Sequence, residues 1–304
     1  MDYELYHDES LEGGYWHGTL LVPVAKKQEF LDLLVRARGN TGYSEKIGIK
    51  DVRRKGKIYN CASAWAQIAI ACLRSRTMNK EYRAYVGKHE NGRAIDEPIE
   101  AYGLKFILLR ESNSHKELEG YHDHASKIET TFRMGLKGGA HFLGSEDEPI
   151  NVVKIHFDGH EHHKRHIDRD RIVNRMYDMR DYFHISKRTD LIDDARSDHN
   201  DPKGQPFDDC QFLQLSDILV GCFRTAWGYK TRDIHVELAL PIKRRLVDEY
   251  RKGRRRMESS RWFKSFVLSQ CHLKNDGNWE FETLQRNPAE GFQPRLWDDE
   301  FYNS

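Results

Sequence analysis

The chain opens with a strand-like block, Tyr3-Glu4-Leu5-Tyr6-His7-Asp8, and a second apolar block follows over residues 15–24 after the turn signal Gly13-Gly14. The two predict a β-hairpin. Residues 26–38 place Phe30, Leu33 and Leu34 on one side of an amphipathic helix, with Gly39-Asn40 as its stop signal. The charged stretch 43–59 carries a weak strand at Ile47-Gly48-Ile49, and residues 61–74 are small and apolar enough for a buried helix. Residues 79–100 are polar and rich in turn formers, with a short strand at 82–86. Residues 103–110 predict a clear strand, and residues 115–135 a polar helix broken by Gly138-Gly139.

The second half repeats the alternation. Asn151-Val152-Val153-Lys154-Ile155-His156-Phe157 predicts a strand, and Asp158-Gly159 follows at once. A helix over 167–181, strand-like pieces over 183–194 and a polar loop over 195–209 lead to an apolar helix over 211–227. Residues 236–256 predict a basic helix, which Pro241 either starts or kinks. Residues 262–284 predict a hairpin around Asn275-Asp276-Gly277-Asn278, and the tail from Asn287 is irregular. A hairpin followed by alternating strands and helices predicts α/β architecture, a mixed sheet flanked by helices, with the basic helix and last hairpin as a C-terminal appendage.

Composition narrows the setting. No apolar run approaches the roughly 20 residues that span a bilayer, and the opening Met-Asp-Tyr-Glu is not a basic-then-apolar leader. Five scattered cysteines with no C-x-x-C pair predict reduced thiols, hence a cytoplasmic protein and no zinc ribbon. The net charge of +1 gives no global pull toward nucleic acid. Locally, though, Lys243, Arg244, Arg245, Arg251, Lys252, Arg254, Arg255, Arg256 and Arg261 crowd one segment. That segment reads as a phosphate grip or, equally, as a solvated helix face. There is no G-x-x-x-x-G-K-[ST] loop and no G-x-S-x-G elbow, so those two chemistries are excluded.

The candidate chemistry is acidic. Asp8 and Glu9 stand where the first strand stops. Asp158 ends a later strand and, taken alone, reads first as a turn residue. Asp217 sits among Leu215, Ile218, Leu219 and Val220, where a carboxylate is costly unless it is paired or bound to metal. Carboxylates from separate strand ends and one helix suit a hard divalent cation. Two such cations about 4 Å apart would activate water and stabilise a phosphodiester leaving oxygen. Gln214, three residues before Asp217, reads as a ligand-orienting or substrate-contacting amide, or else as a buried amide that caps backbone groups. His156, His160, His162, His163 and His166 surround Asp158. They suit a polar loop lining a cleft more than a transition-metal site, with one histidine available as a proton shuttle. Trp262 and Phe263 beside the arginines suit base stacking or a hairpin core.

Tyr6-His7-Asp8-Glu9-Ser10, the strand ending in Asp158 and Leu213-Gln214-Leu215-Ser216-Asp217-Ile218-Leu219-Val220-Gly221 together resemble the DUF3800 family, a bacterial group of RNase H-like domains. The resemblance covers roughly residues 3–229. It implies an RNase H-like domain over 1–230 and a basic-helix-and-hairpin extension over 231–304. By residue, it implies Asp8, Asp158 and Asp217 as Mg²⁺ or Mn²⁺ ligands, with Glu9 or Glu45 completing the shell. Glu45 comes from Ser44-Glu45-Lys46-Ile47-Gly48-Ile49-Lys50, an imperfect match to the family's Glu and Lys after the first helix. The family's short polar stretch before the late helix is here expanded around Asp193 and Asp194, which leaves their roles open.

The implied activity is a metal-dependent nuclease acting on DNA or RNA, with Ser10, Gln214, Arg244 and Arg245 on the substrate. The competing expectations are a non-catalytic nucleic-acid- or partner-binding protein of the same fold, and a small-molecule phosphoesterase. A homodimer, or a partner in a defence or mobile-element system, would suit such a nuclease.

Overall fold

A computed structural model describes residues 1–11, 14–73, 103–111, 124–144, 148–158, 168, 172, 182–195, 197–198, 207–229, 232–243, 265–274 and 279–283. The strands are β1 (Asp2–Ser10), β2 (Tyr15–Pro23), β3 (Lys105–Glu111), β4 (Ile150–Asp158), β5 (Phe183–Ala195), β6 (Phe266–Leu273) and β7 (Trp279–Thr283). The helices are α1 (Lys27–Thr41), α2 (Lys57–Cys72), α3 (His124–Leu143) and α4 (Phe207–Ala226), and residues 233–243 are also helical.

The strands form one mixed sheet in the order β5-β4-β1-β2-β3-β6-β7. β1 pairs antiparallel with β2 and parallel with β4, which in turn pairs parallel with β5. The last hairpin is built into this sheet rather than appended to it, because β6 pairs parallel with β3 and antiparallel with β7.

Side chains alternate across β1, so its even and odd positions enter different cores. Tyr6 joins Leu20, Phe106 and Phe266 beneath α1, α2 and α4. Tyr3 and Leu5 join Ile107, Ile155 and Val267 beneath α3. The sheet is therefore sandwiched between helices, as the alternation of elements predicts.

Two glycine-containing pairs do not end their helices. α1 runs through Gly39-Asn40 and ends at Gly42, whose left-handed backbone (φ 62°) lets its N–H reach the carbonyls of Arg38 and Gly39. α3 runs through Gly138-Gly139 to Leu143. A Cβ on Gly138 would collide with the Phe281 ring, and one on Gly139 with Ile107. Tight packing of α3 on the sheet, not helix termination, accounts for those glycines.

Two strand readings also change. Ile47-Gly48-Ile49 is no strand: a 3₁₀ turn at Ile49–Asp51 takes its place. The pieces over 183–194 are one strand, β5, whose pairing with β4 shifts register twice. The strand at 82–86, most of the helix at 167–181 and the turn at 275–278 lie outside the described residues. Among the described residues, no helix is long and apolar enough to cross a membrane. All five cysteines are buried and unbridged.

Candidate functional site

Asp8, Asp158 and Asp217 come from three elements and share one side of the sheet. β1 and β4 are parallel neighbours, paired up to His7 with Phe157. Asp8 and Asp158 each lie one residue beyond that pair, on strands about 4.8 Å apart. Both follow the even-numbered face of Tyr6 and His156, whose rings stack at 4.5 Å. The carboxyl ends of parallel strands are where ligands gather in α/β sheets. α4 crosses the same end, with Ser216 Oγ set 3.4 Å from the Tyr6 carbonyl oxygen.

Glycine fixes how closely α4 approaches. Gly18 is the cross-strand partner of Asp8, and a Cβ there would collide with Val220 of α4. A branched residue at Gly18 would lift α4, and Asp217 with it, off the strand that carries Asp8.

Asp217 is held in place by backbone. The N–H of Ile49 donates to its Oδ2 at 2.7 Å. Asp217 keeps some exposed surface, yet neighbouring atoms crowd it closely. That desolvation pushes its carboxyl up to about 6, against the Ile49 N–H and the Lys50 and Lys46 charges, which lower it, while Asp158 raises it further. The Asp158 effect is a like-charge repulsion, and a cation between the two carboxylates would relieve it.

Asp51 is a carboxylate that the sequence reading missed. A Cβ on Gly48 would stand 2.9 Å from Asp51 Oδ2 and 3.2 Å from Asp217 Oδ2, so both oxygens crowd the same glycine. The 3₁₀ turn creates this proximity, and a strand at 47–49 would not.

The remaining expected site residues are placed as follows. Glu9 takes the opposite side of the sheet from Asp8, where Tyr15 Oη donates to its Oε2 at 2.7 Å. Ser10 Oγ accepts from Arg224 Nη1 at 2.6 Å. Gln214 is fully enclosed. Its Oε1 accepts from Arg38 Nη2 (2.7 Å) and from the Ile47 N–H (2.9 Å), and its Nε2 donates to the Ser197 carbonyl (2.6 Å). Gln214 thus caps backbone groups, the second of its two readings. Glu45 is exposed, and its carbonyl accepts from Arg38 Nη1 at 2.7 Å. Arg244, Arg245, Trp262, Phe263 and the histidines at 160, 162, 163 and 166 lie outside the described residues, as do the side chains of Asp193 and Asp194.

A second polar cluster sits further back along β1. Ligand atoms of Glu4, His156 and Asp209 lie within 4.8 Å of one another. Lys27 Nζ is 2.7 Å from Glu4 Oε2 and 2.9 Å from Asp209 Oδ1. Tyr6 Oη donates to the same two oxygens, at 2.7 and 2.8 Å. An ammonium thus already provides the positive charge at these oxygens. By contrast, Asp8, Asp158 and Asp217 offer hard carboxylate oxygens of the kind that Mg²⁺ and Mn²⁺ select. The donor types suit the implied metal, but these three carboxylates are not gathered within 4.8 Å of one another as the ligand atoms of Glu4, His156 and Asp209 are.

No protein-family model, curated protein or solved structure matches the chain.

Proposed function

We propose that the protein is a Mg²⁺- or Mn²⁺-dependent nuclease that hydrolyses phosphodiester bonds of nucleic acid on an RNase H-like sheet of the DUF3800 kind. The observation that carries the reading is that Asp8 and Asp158 follow each other across the parallel strands β1 and β4, while Asp158 acts on Asp217 of α4 through its charge. The mixed sheet with β1 inside it, between β4 and β2, and a late helix laid across it supports the RNase H-like part.

Asp8, Asp158 and Asp217 would hold the metal, which when bound lowers the pKa of water and stabilises charge on a phosphodiester oxygen. The chain itself contributes orientation. The Ile49 N–H fixes Asp217 Oδ2, and close packing of Val220 over Gly18 sets the height of α4. Asp51 replaces Glu9 and Glu45 as the further carboxylate on the Asp217 side.

The test is incubation of the purified protein with labelled single- and double-stranded DNA and RNA in Mn²⁺, beside a small aryl phosphodiester. Asp8→Asn and Asp217→Asn are each expected to reduce cleavage by about 100-fold or more, since even groups that only support metal ligands cost 10- to 100-fold. Cleavage that survives both substitutions defeats the reading. Turnover of the small ester alone would reassign the site to small phosphoesters.

A further inference from the structure

A basic segment borders the acidic centre, and it is not the C-terminal one that the sequence brings forward. Between residues 46 and 57 the chain carries Lys46, Lys50, Arg53, Arg54, Lys55 and Lys57 against a single acid, Asp51. All six basic side chains except the half-buried Lys46 are exposed. Arg54, Lys55 and Lys57, with Tyr43, Ser44 and Glu45, line a cleft of about 580 Å³. Lys55 Nζ is 2.8 Å from Glu237 Oε2, with both groups exposed. An exposed pair of that kind is worth little and yields readily to a competing anion.

The segment is anchored along its length. Arg38 Nη1 donates to the Glu45 carbonyl (2.7 Å), and the Ile47 and Ile49 N–H groups reach Gln214 and Asp217. Further on, Arg232 Nη1 donates to the Lys50 carbonyl (2.8 Å) and His235 Nε2 to the Val52 carbonyl (3.0 Å). The backbone is thus fixed from both sides while the cationic ends face outward. One end of the segment touches Asp217 and the other opens into the cleft. A polyanion lying along it would lead directly to the carboxylates.

We propose that residues 46–57, with the cleft at Arg54, Lys55 and Lys57, form the surface that binds the sugar-phosphate backbone of a single-stranded nucleic acid and feeds it to the acidic centre. The proposal rests on the nuclease reading for the identity of its ligand. Fixed exposed cations suit phosphates, which are bound through charge and carry no sequence information. The surface therefore binds without sequence preference. A cleft beside a single chain segment suits one strand better than a duplex.

The test measures fluorescence anisotropy of labelled 20-nucleotide DNA and RNA strands of two unrelated sequences, in EDTA and over a range of salt. The comparison is between the full-length wild type and the triple variant Arg54→Ala/Lys55→Ala/Lys57→Ala. The expected result is binding without metal, at least about 10-fold weaker in the triple variant. The slope of log affinity against log salt should fall by about 2, from about 0.7 per phosphate contact on single strands. All three positions are exposed, and an unchanged melting temperature establishes that the variant is folded.

Wild-type affinity and slope retained in the triple variant overturn the proposal, as does a wild type that binds neither strand. Duplex bound more tightly than either single strand also overturns it. Because the assay contains no metal, it separates from the cleavage test. Binding that depends on the three residues, with no cleavage in Mn²⁺, leaves the surface and removes the nuclease. Cleavage with an unaltered KM in the triple variant does the reverse.

Discussion

The N–H of Ile49 donates a 2.7 Å hydrogen bond to Asp217 Oδ2, and this contact joins a basic segment near the N-terminus to a carboxylate 168 residues later. It has two consequences. The bond partly offsets the cost of burying Asp217, and it sets the direction in which that carboxylate can face a cation.

The Asp217 carboxyl is pushed up to about 6, foremost by burial. A folded-state pKa above the ordinary 3.8 contributes stability that is full below 3.8 and is lost as pH rises through about 6. Metal-free wild type is therefore expected to lose thermal stability relative to Asp217→Asn between roughly pH 4 and pH 6. The asparagine oxygen still accepts from Ile49, so the comparison isolates the charge. Added Mn²⁺ should raise the wild-type melting temperature and leave the variant unmoved. Melting curves across this range, with and without Mn²⁺, check both parts. A constant gap from pH 4 to pH 7 contradicts the assignment.

Gly18 is where α4 meets the sheet beside Asp8, and a Cβ there collides with Val220. Gly18→Ala is expected to cost about 1–3 kcal/mol, the range for overpacking a filled core. In the double variant with Val220→Ala, loss of both Val220 methyls, including the Cγ2 that a Cβ on Gly18 would meet, makes room for the methyl gained on β2. The two effects should then fall short of additive by about 0.5–3 kcal/mol. Urea denaturation of the two single variants and the double variant measures this coupling. Strict additivity would mean that α4 does not rest on Gly18.

Much of the frame was legible because it is local. Alternation along β1 already separates Asp8 from Glu9, and the structure puts Glu9 on the far side with Tyr15. The apolar run around Asp217 predicts α4 to within a few residues. What failed was reading glycine without its surroundings: Gly138 and Gly139 stay helical because Phe281 and Ile107 occupy the space a Cβ would need. The turn that brings Asp51 to Asp217 is three residues long, too short for any periodicity. Lys27 finds Glu4 at a separation of 23 residues and Asp209 at 182, pairings that no spacing rule announces.

Arg38 anchors the start of the basic segment with a three-pronged grip. Its Nε donates to Gln211 Oε1 (2.6 Å), its Nη2 to Gln214 Oε1 (2.7 Å) and its Nη1 to the Glu45 carbonyl (2.7 Å). The guanidinium also stacks 4.7 Å from the Trp65 ring centre. A lysine keeps the charge but not the fork. Arg38→Lys should therefore cost about 2–3 kcal/mol, because one ammonium cannot replace the three hydrogen bonds of the fork. Hydrogen exchange at the Ile47 and Ile49 amides should accelerate with it, because the segment they belong to loosens. Unchanged protection at both amides would show that Gln214 and Asp217 hold the segment without Arg38.

Lys27 neutralises two carboxylates at once, and its loss should reveal what each costs. Burial raises the Glu4 carboxyl, but hydrogen bonds from His156, Lys27 and Tyr6 outweigh it and hold the group down at about 2. A depressed folded-state value contributes stability that is present above the ordinary 4.5 and is lost as pH falls through about 2. In Lys27→Met, Glu4 and Asp209 face each other with only Tyr6 and His156 between them. The expected cost at pH 7 is about 3–5 kcal/mol, the range for removing one partner of a buried pair. Part of it should be relieved when a carboxylate takes up a proton. The gap between wild type and variant should therefore narrow as pH falls from roughly 5 toward 2. Urea denaturation at pH 7 and pH 3 tests this narrowing. An equal gap at both would mean that the ammonium's position over the Tyr6 and Phe212 rings, 5.9 Å from each ring centre, rather than its neutralising of the two carboxylates, carries the stability.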